Sequence, residues 1–329
     1  MKILVTGAAG FIGSSLVDRL LGAGHAVVGL DVYDDFYDPA TKEANLVSAR
    51  DMDAFQEVRG DIRDLDVLAS LPEGIDAVVH LAARAGVRPS IADPGLYSSV
   101  NVQGTTEILE WMRRRGVRNL VFASSSSVYG NNEKVPFSED DAVDRPISPY
   151  AATKKAGELL CHAFHHLFGM SVVCLRFFTV YGARQRPDLA IHKFARLLAQ
   201  GRPVPLFGDG SSERDYTFIE DILDGVEGAL PLVSGPDPVY EIVNLGESRT
   251  ISLSRMVAEL GEQMGVTPQV QWLPVQPGDV QRTFADISKA RRLLGYNPET
   301  PFEEGLRRFL IWFHAQRDIT ELPTKGSRA

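Results

Sequence analysis

The sequence predicts an α/β protein, a doubly wound parallel sheet joined to a smaller C-terminal α/β unit. Three observations predict it. Through the first half, apolar runs of five to eight residues alternate with helical stretches that end at glycine. A glycine-rich turn lies between the first run and the first helix. After about Thr179 the alternation gives way to residues 182–215, rich in Gly, Pro, Arg and charge. Strands separated by helices imply parallel pairing through right-handed crossovers. The 329 residues suit roughly two domains at about 150 residues each. The expected division sets residues 1–180, with returning segments near 216–245, against 181–215 and 246–329.

The elements follow in order. Lys2–Thr6 (KILVT) is a short apolar run that stops at glycine, as a strand buried on both faces does. Residues 11–23 are helical and close at Gly24. Residues 25–31 form the second strand, 54–61 the third and 75–82 the fourth. Residues 102–115 form a helix closed by Gly116, and Arg113, Arg114 and Arg115 suit the negative end of its dipole. Residues 119–124 are the fifth strand. Pro149–Phe168 is a long helix closed by Gly169, and residues 171–178 are the sixth strand. Residues 302–312 read as one amphipathic helix.

Composition narrows the function. With 44% hydrophobic and 23% charged residues, a disordered or disulfide-scaffold chain is excluded. The net charge of −9 gives no broad pull toward nucleic acid or anionic lipid, though a local basic pocket for a small anion is compatible with it. Two cysteines, Cys161 and Cys174, are too few for a disulfide framework and fit a reducing cytosol, so a cytoplasmic location is expected. No run reaches the ~20 apolar residues of a membrane helix. Residues 1–13, broken by three glycines, have no cleavage-site pattern. His162, His165 and His166 share a helix face, but no Cys or acid-His motif accompanies them. An interface or solvent face is expected there, and no metal.

Gly7, Gly10 and Gly13 have the spacing GxxGxxG, with Phe11 and Ile12 inside it. The run follows a strand and opens a helix, the context a dinucleotide loop requires. A turn without side chains lets a pyrophosphate approach backbone N–H groups, and the helix N-terminus adds its positive dipole end. Asp31 ends the second strand, 18 residues past Gly13, and is placed to accept the adenine ribose hydroxyls. Asp34 and Asp35 follow, with no basic residue until Lys42, so NAD is favoured over NADP. Asp61, before Ile62, ends the third strand and is a candidate for the adenine amino group. Either acid also suits a turn cap.

Tyr150 and Lys154 lie four apart on the long helix, hence on one face. The Lys charge, with the positive nicotinamide of bound NAD, is expected to lower the phenol from its usual ~10, so that tyrosinate can take a proton from a sugar hydroxyl. Ser124 to Ser127 leave the fifth strand at the carboxyl edge of the sheet, where open α/β sheets bind ligands. A hydroxyl there can hydrogen-bond the reacting alcohol.

Gly7-x-x-Gly10-x-x-Gly13, Asp31, His80-Leu81-Ala82-Ala83, Ser125 to Gly130 and Tyr150-x-x-x-Lys154 occur in order. Together they resemble the extended short-chain dehydrogenase/reductase family, specifically its nucleotide-sugar epimerases and dehydratases, with a Rossmann sheet. The resemblance extends through Gly208-Asp209-Gly210, Arg214-Asp215-Tyr216 and Pro277-Gly278-Asp279. It implies a catalytic set of Ser125, Tyr150 and Lys154, with Ser127 as a second hydroxyl beside the sugar. It implies cofactor contacts at Leu81, Ala82, Ala83 and Asn101, and substrate contacts at Arg88, Arg214 and Asp279. It also implies a homodimer, paired through the helices at 102–115 and 149–168.

Family dehydratases carry an Asp-Glu pair where this chain has Ser126-Ser127, and the related decarboxylases a Glu. C4 epimerisation is the reaction left. Ala85-Gly86-Val87-Arg88, and residues 177–182 followed by Arg186-Pro187-Asp188, resemble UDP-glucuronate 4-epimerases. That resemblance implies that Thr179 and Arg186 hold the C6 carboxylate, and Arg184 and Arg186 supply guanidinium charge on that loop. The family's Pro-Trp-Gly before the Arg is replaced by Ala183-Arg184-Gln185. The expected ligands are NAD and a UDP-sugar. The alternatives are a 4-epimerase of UDP-glucose, and a non-enzymatic NAD-sensing protein on the same fold.

Overall fold

The apolar runs pair as the crossover rule requires. The computed structural model describes residues 1–275 and 280–321, from residue 317 as backbone only. The main sheet has seven strands: β1 (Lys2–Thr6), β2 (Ala26–Asp31), β3 (Phe55–Arg59), β4 (Ala77–His80), β5 (Asn119–Ser125), β6 (Ser171–Phe177) and β7 (Tyr240–Leu245). Their order is β7-β6-β5-β4-β1-β2-β3. Every neighbouring pair is parallel. The order reverses direction between β1 and β4, which opens a crevice at the carboxyl ends of those strands.

β4 and β6 are buried at every position, as strands covered by helices on both faces must be. α1 (Phe11–Gly22), α2 (Gly104–Arg115) and α3 (Pro149–Phe168) supply the cover. Gly116 and Gly169 close α2 and α3 in the left-handed region that glycine tolerates, at φ 71° and 64°.

The structure departs from the sequence expectations at several element ends. β4 is only four residues long, which frees Leu81, Ala82 and Ala83 to bend into the crevice. α2 starts at Gly104, after a wide turn at Ser99–Gln103 that carries Asn101 inward. β7 was foreshadowed only as a returning segment, because Glu241 and Asn244 interrupt its apolar run. The last helix runs Phe302–Glu321, longer than the amphipathic stretch that marks its start.

The C-terminal unit is built from short pairs. Val204–Phe207 lies parallel to Val270–Leu273, and Glu213–Arg214 antiparallel to Ile251–Ser252. One apolar cluster runs through both units, joining Leu16 of α1, Val243 of β7 and Phe309 of the last helix.

A polar network crosses this core. Arg176 on β6 is 1% exposed and Glu158 on α3 is fully buried. Arg176 donates from Nε and Nη2 to the two Glu158 oxygens, at 2.8 and 2.9 Å. Ser124 Oγ donates to Glu158 at 2.7 Å, and Arg176 Nη1 to the Tyr129 hydroxyl at 2.9 Å. Tyr129 passes the chain on to Asn244 of β7 at 2.7 Å. Burial works to raise the Glu158 carboxyl, but the Arg176 hydrogen bonds and charge hold it below its usual value. Glu158→Ala strands a buried guanidinium and is expected to cost about 3–5 kcal/mol. Urea unfolding measures this; a loss within experimental error would remove the network from the list of structural determinants.

Candidate active site

The crevice is a cavity of about 500 Å³. At one end lies the glycine turn. Gly7 has φ +71°, and a Cβ there would sit 2.9 Å from the Ala82 backbone nitrogen, so only glycine fits. A Cβ on Gly13 would lie 2.0 Å from the Gly7 carbonyl oxygen. The N-cap of α1 is Gly10, with no side-chain cap, so the first amides of the helix have no side chain to bond. Gly7, Gly10, Phe11, Ile12 and Gly13 line the cavity, as do Asp31, Asp61, Ile62, Leu81, Ala82 and Ala83. A bare turn, uncapped amides and an acid beyond them fit a dinucleotide such as NAD, and these residues would hold it.

Asp31 does two jobs. Its carboxylate accepts from Ala9 N (3.0 Å) and Tyr33 N (2.8 Å), shaping the turn, and it also lines the cavity. Lys42 requires a correction to the sequence picture of an acidic pocket rim. The fold brings its Nζ within 2.8 Å of Asp34 and 3.6 Å of Asp31, although it is 11 residues from Asp31 in sequence. Arg84 reaches Asp34 at 3.4 Å, so the two acids face two cations. Asp61 is clasped by Arg63, whose hydrogen bond holds its carboxyl below the usual value. Asn101 does not line the cavity. Its amide is committed to the Arg84 backbone (2.7 and 2.9 Å) and to Thr153 Oγ1 (3.0 Å), tying the loop after β4 to α3.

Ser125, Ser127, Tyr150 and Lys154 line the middle of the same cavity. Ser148 caps α3 by accepting from Ala151 N, and Pro149 starts the helix, which fixes the phase of Tyr150 and Lys154. Ser125 Oγ lies 3.2 Å from Ser127 Oγ and accepts from Ser127 N at 3.2 Å. The Tyr97 ring meets Tyr150 edge-on at 6.3 Å.

Burial governs both Tyr150 and Lys154. Burial pushes the Tyr150 phenol up; the Ser125 hydrogen bond and the Arg186 charge oppose it. Lys154 instead donates to the Ala123 carbonyl at 2.7 Å, and burial lowers it to about 8. Behind it, His80 bonds Thr6 and Thr105; burial first, then the Lys154 charge, lowers it to about 3, so it is neutral.

At the far end stand Thr179 and Arg186. Gln185, 2% exposed, clamps their loop by donating to Val180 O and accepting from His192 N. Arg184 turns away to Asp18 of α1 at 2.7 Å, so of the two loop arginines only Arg186 serves the cavity. Arg88 is exposed and stacks over Phe207 at 4.4 Å, and Arg214 bonds the Glu213 carbonyl; neither lines the cavity. Asp279 lies outside the described residues. The residues that sequence reasoning missed are Arg84, Phe36 and Tyr37. The dense aromatics of the loop after Asp31 were the available signal.

His162 and His165 pack against Tyr240, with ring centroids at 4.9 and 5.8 Å. Among the described residues no group of His, Cys, Asp and Glu is arranged to hold a metal, and no helix is long and apolar enough to cross a membrane.

The sequence model of the NAD dependent epimerase/dehydratase family matches residues 3–246. A UDP-glucuronate 4-epimerase of Thermodesulfobacterium geofontis is 42% identical over 312 residues, covering 94% of this chain and 95% of that protein. The crystal structure of a UDP-glucuronic acid 4-epimerase from Bacillus cereus, in complex with UDP-glucuronic acid and NAD, superposes with a TM-score of 0.91. It is 38% identical and spans 96% of this chain and 100% of its own. MoeE5 in complex with UDP-glucose and NAD gives a TM-score of 0.85 at 36% identity, over 96% and 100%.

The cofactor end generates a prediction. The wild type is expected to bind NAD at least about tenfold tighter than NADP, roughly 1.4 kcal/mol. Asp31→Ala should shrink that ratio, because it leaves Lys42 with Asp34 alone. Calorimetric titration with both dinucleotides measures it; equal wild-type affinities would refute the ribose role of Asp31.

Proposed function

The chain belongs to the NAD dependent epimerase/dehydratase family, and from that premise we propose that it interconverts UDP-glucuronate and UDP-galacturonate at C4. The observation that carries this reading is the single cavity. It joins the glycine turn, the Ser125–Tyr150 pair and the Thr179–Arg186 end. Bound NAD supplies the oxidant for C4 and the reductant that restores it.

The residues of the chain do the rest. Tyr150 takes the C4 hydroxyl proton and later returns it. Ser125, in the same cavity as Tyr150, holds the same oxygen and stabilises it as it becomes a carbonyl. Arg186 favours the phenolate by its charge, and Lys154, at about 8, still carries most of its proton at neutral pH. The carboxylates lining the cavity, Asp31, Asp34 and Asp61, all stand at the cofactor end. Ser126 and Ser127 stand in the turn after β5 and line the cavity. No acid there serves elimination or decarboxylation, which supports simple epimerisation.

The 4-keto sugar is a β-keto acid. It loses CO₂ when the C5–C6 bond aligns with the carbonyl π system. Thr179 and Arg186 restrain the carboxylate near the ring plane while the sugar turns its other face. The same reading makes the protein a cytoplasmic homodimer paired through α2 and α3. Leu159 and Leu167 of α3, 59% and 66% exposed, are side chains such pairing would cover.

Tyr150→Phe should lower turnover about 10²–10⁴-fold while UDP-glucuronate and NAD still bind, since only the proton carrier is lost. Unchanged epimerisation in that variant would sink the assignment. Arg186→Ala should raise KM for UDP-glucuronate about tenfold to a hundredfold, the worth of a charge-assisted contact. The inhibition constant of UDP-glucose should barely move, and a decarboxylated pentose product should become detectable by chromatography. Equal effects on both sugars would favour the neutral-sugar alternative.

A further inference from the structure

The mechanism above uses Arg186 and leaves its neighbour Asp188 without a task. Arg186 donates from Nε to Asp188 Oδ1 at 2.9 Å and from Nη2 to Oδ2 at 2.7 Å. These are the donors of one side edge of the guanidinium. The group carries five N–H donors in a fixed plane, so the Nη1 hydrogens and the outer Nη2 hydrogen remain as an end fork. An end fork is a geometry that suits a second carboxylate. The Phe36 ring lies 5.2 Å from the guanidinium carbon, and Leu189 N donates to the Arg186 carbonyl at 3.2 Å. The Gln185 clamp holds the backbone beneath. Arg186 is 17% exposed at its side chain and Asp188 40%, so the arginine faces inward and the aspartate outward.

We propose that Asp188 is a positioning residue that sets the preference for an acidic sugar, by gripping Arg186 at one edge so that its end fork meets the substrate carboxylate. This rests on the reading of UDP-glucuronate as substrate. An arginine on a loop otherwise spreads over many rotamers, and binding would have to collect them. Anchoring one edge removes that cost before the substrate arrives. It also leaves the Arg–Asp pair neutral, so the carboxylate is recognised by shape and donor geometry as well as by charge.

The test is steady-state kinetics on full-length wild type, Asp188→Asn, Arg186→Ala and the double variant. UDP-glucuronate is the substrate and UDP-glucose a competitive inhibitor. Asp188→Asn should raise KM for UDP-glucuronate about tenfold, with the UDP-glucose inhibition constant and the thermal midpoint unchanged. In the Arg186→Ala background the same change should have no further effect, a coupling that a purely structural role does not produce. A KM that is unchanged, or raised additively in the double variant, overturns the proposal. A lowered KM overturns it too, since Asp188 would then be an internal competitor of the substrate. If wild type turns over UDP-glucuronate and Arg186→Ala impairs it but Asp188→Asn does not, the Asp188 role alone fails. If wild type processes only UDP-glucose, the substrate reading fails and this proposal falls with it.

Discussion

The buried ion pair between Glu158 and Arg176 is the constraint on which the arrangement of the cavity depends. Two opposite charges removed from water are tolerable only when every donor and acceptor is met. Here Ser124, Tyr129 and Lys155 complete the set. Glu158 lies two helical turns beyond Tyr150 on the same helix, Arg176 lies on β6, and Ser124 adjoins Ser125 in β5. One network therefore ties the strand that carries Ser125 to the helix that carries Tyr150. Through Tyr129 and Asn244 it also reaches β7, and from there Phe137 and Asp286.

Charge is distributed against the overall balance. The chain carries a net −9, yet Lys42, Arg63, Arg84, Lys154 and Arg186 all line one cavity. Most are held by acids, Arg63 by Asp61, Lys42 and Arg84 by Asp34, Arg186 by Asp188. Such pairs keep cations in place before anionic ligands arrive. Lys154 differs: it is fully engaged with a backbone carbonyl, and burial lowers it. The Arg186 charge works against the burial that raises the Tyr150 phenol.

The loop that carries Arg186 departs from its family pattern at Ala183-Arg184-Gln185, and the structure explains how it remains ordered. Gln185 turns inward and bonds both the end of one short strand and the start of the next helix. Arg184 adopts a positive φ of 65° and turns outward to Asp18. Gln185 from inside and Arg184 from outside thus hold the loop.

The sequence alone determined the features governed by regular spacing. The glycine turn, the acid at the end of β2, and Tyr150 and Lys154 on one face of α3 follow from strand and helix periods, which need no knowledge of distant residues. The six apolar strands were legible for the same reason. β7 was only partly so, since Glu241 and Asn244 break its pattern and β6 supplies its register. Only the tertiary structure decided which cations of the loops and short helices line the cavity. Lys42 was brought to Asp31, Arg84 took a place in the cavity while Arg88 went to Phe207, and Arg186 stayed while Arg184 left for Asp18. Loops have no period and helices of six or seven residues show too little of one, so the direction of each side chain there is set by its partners in the fold.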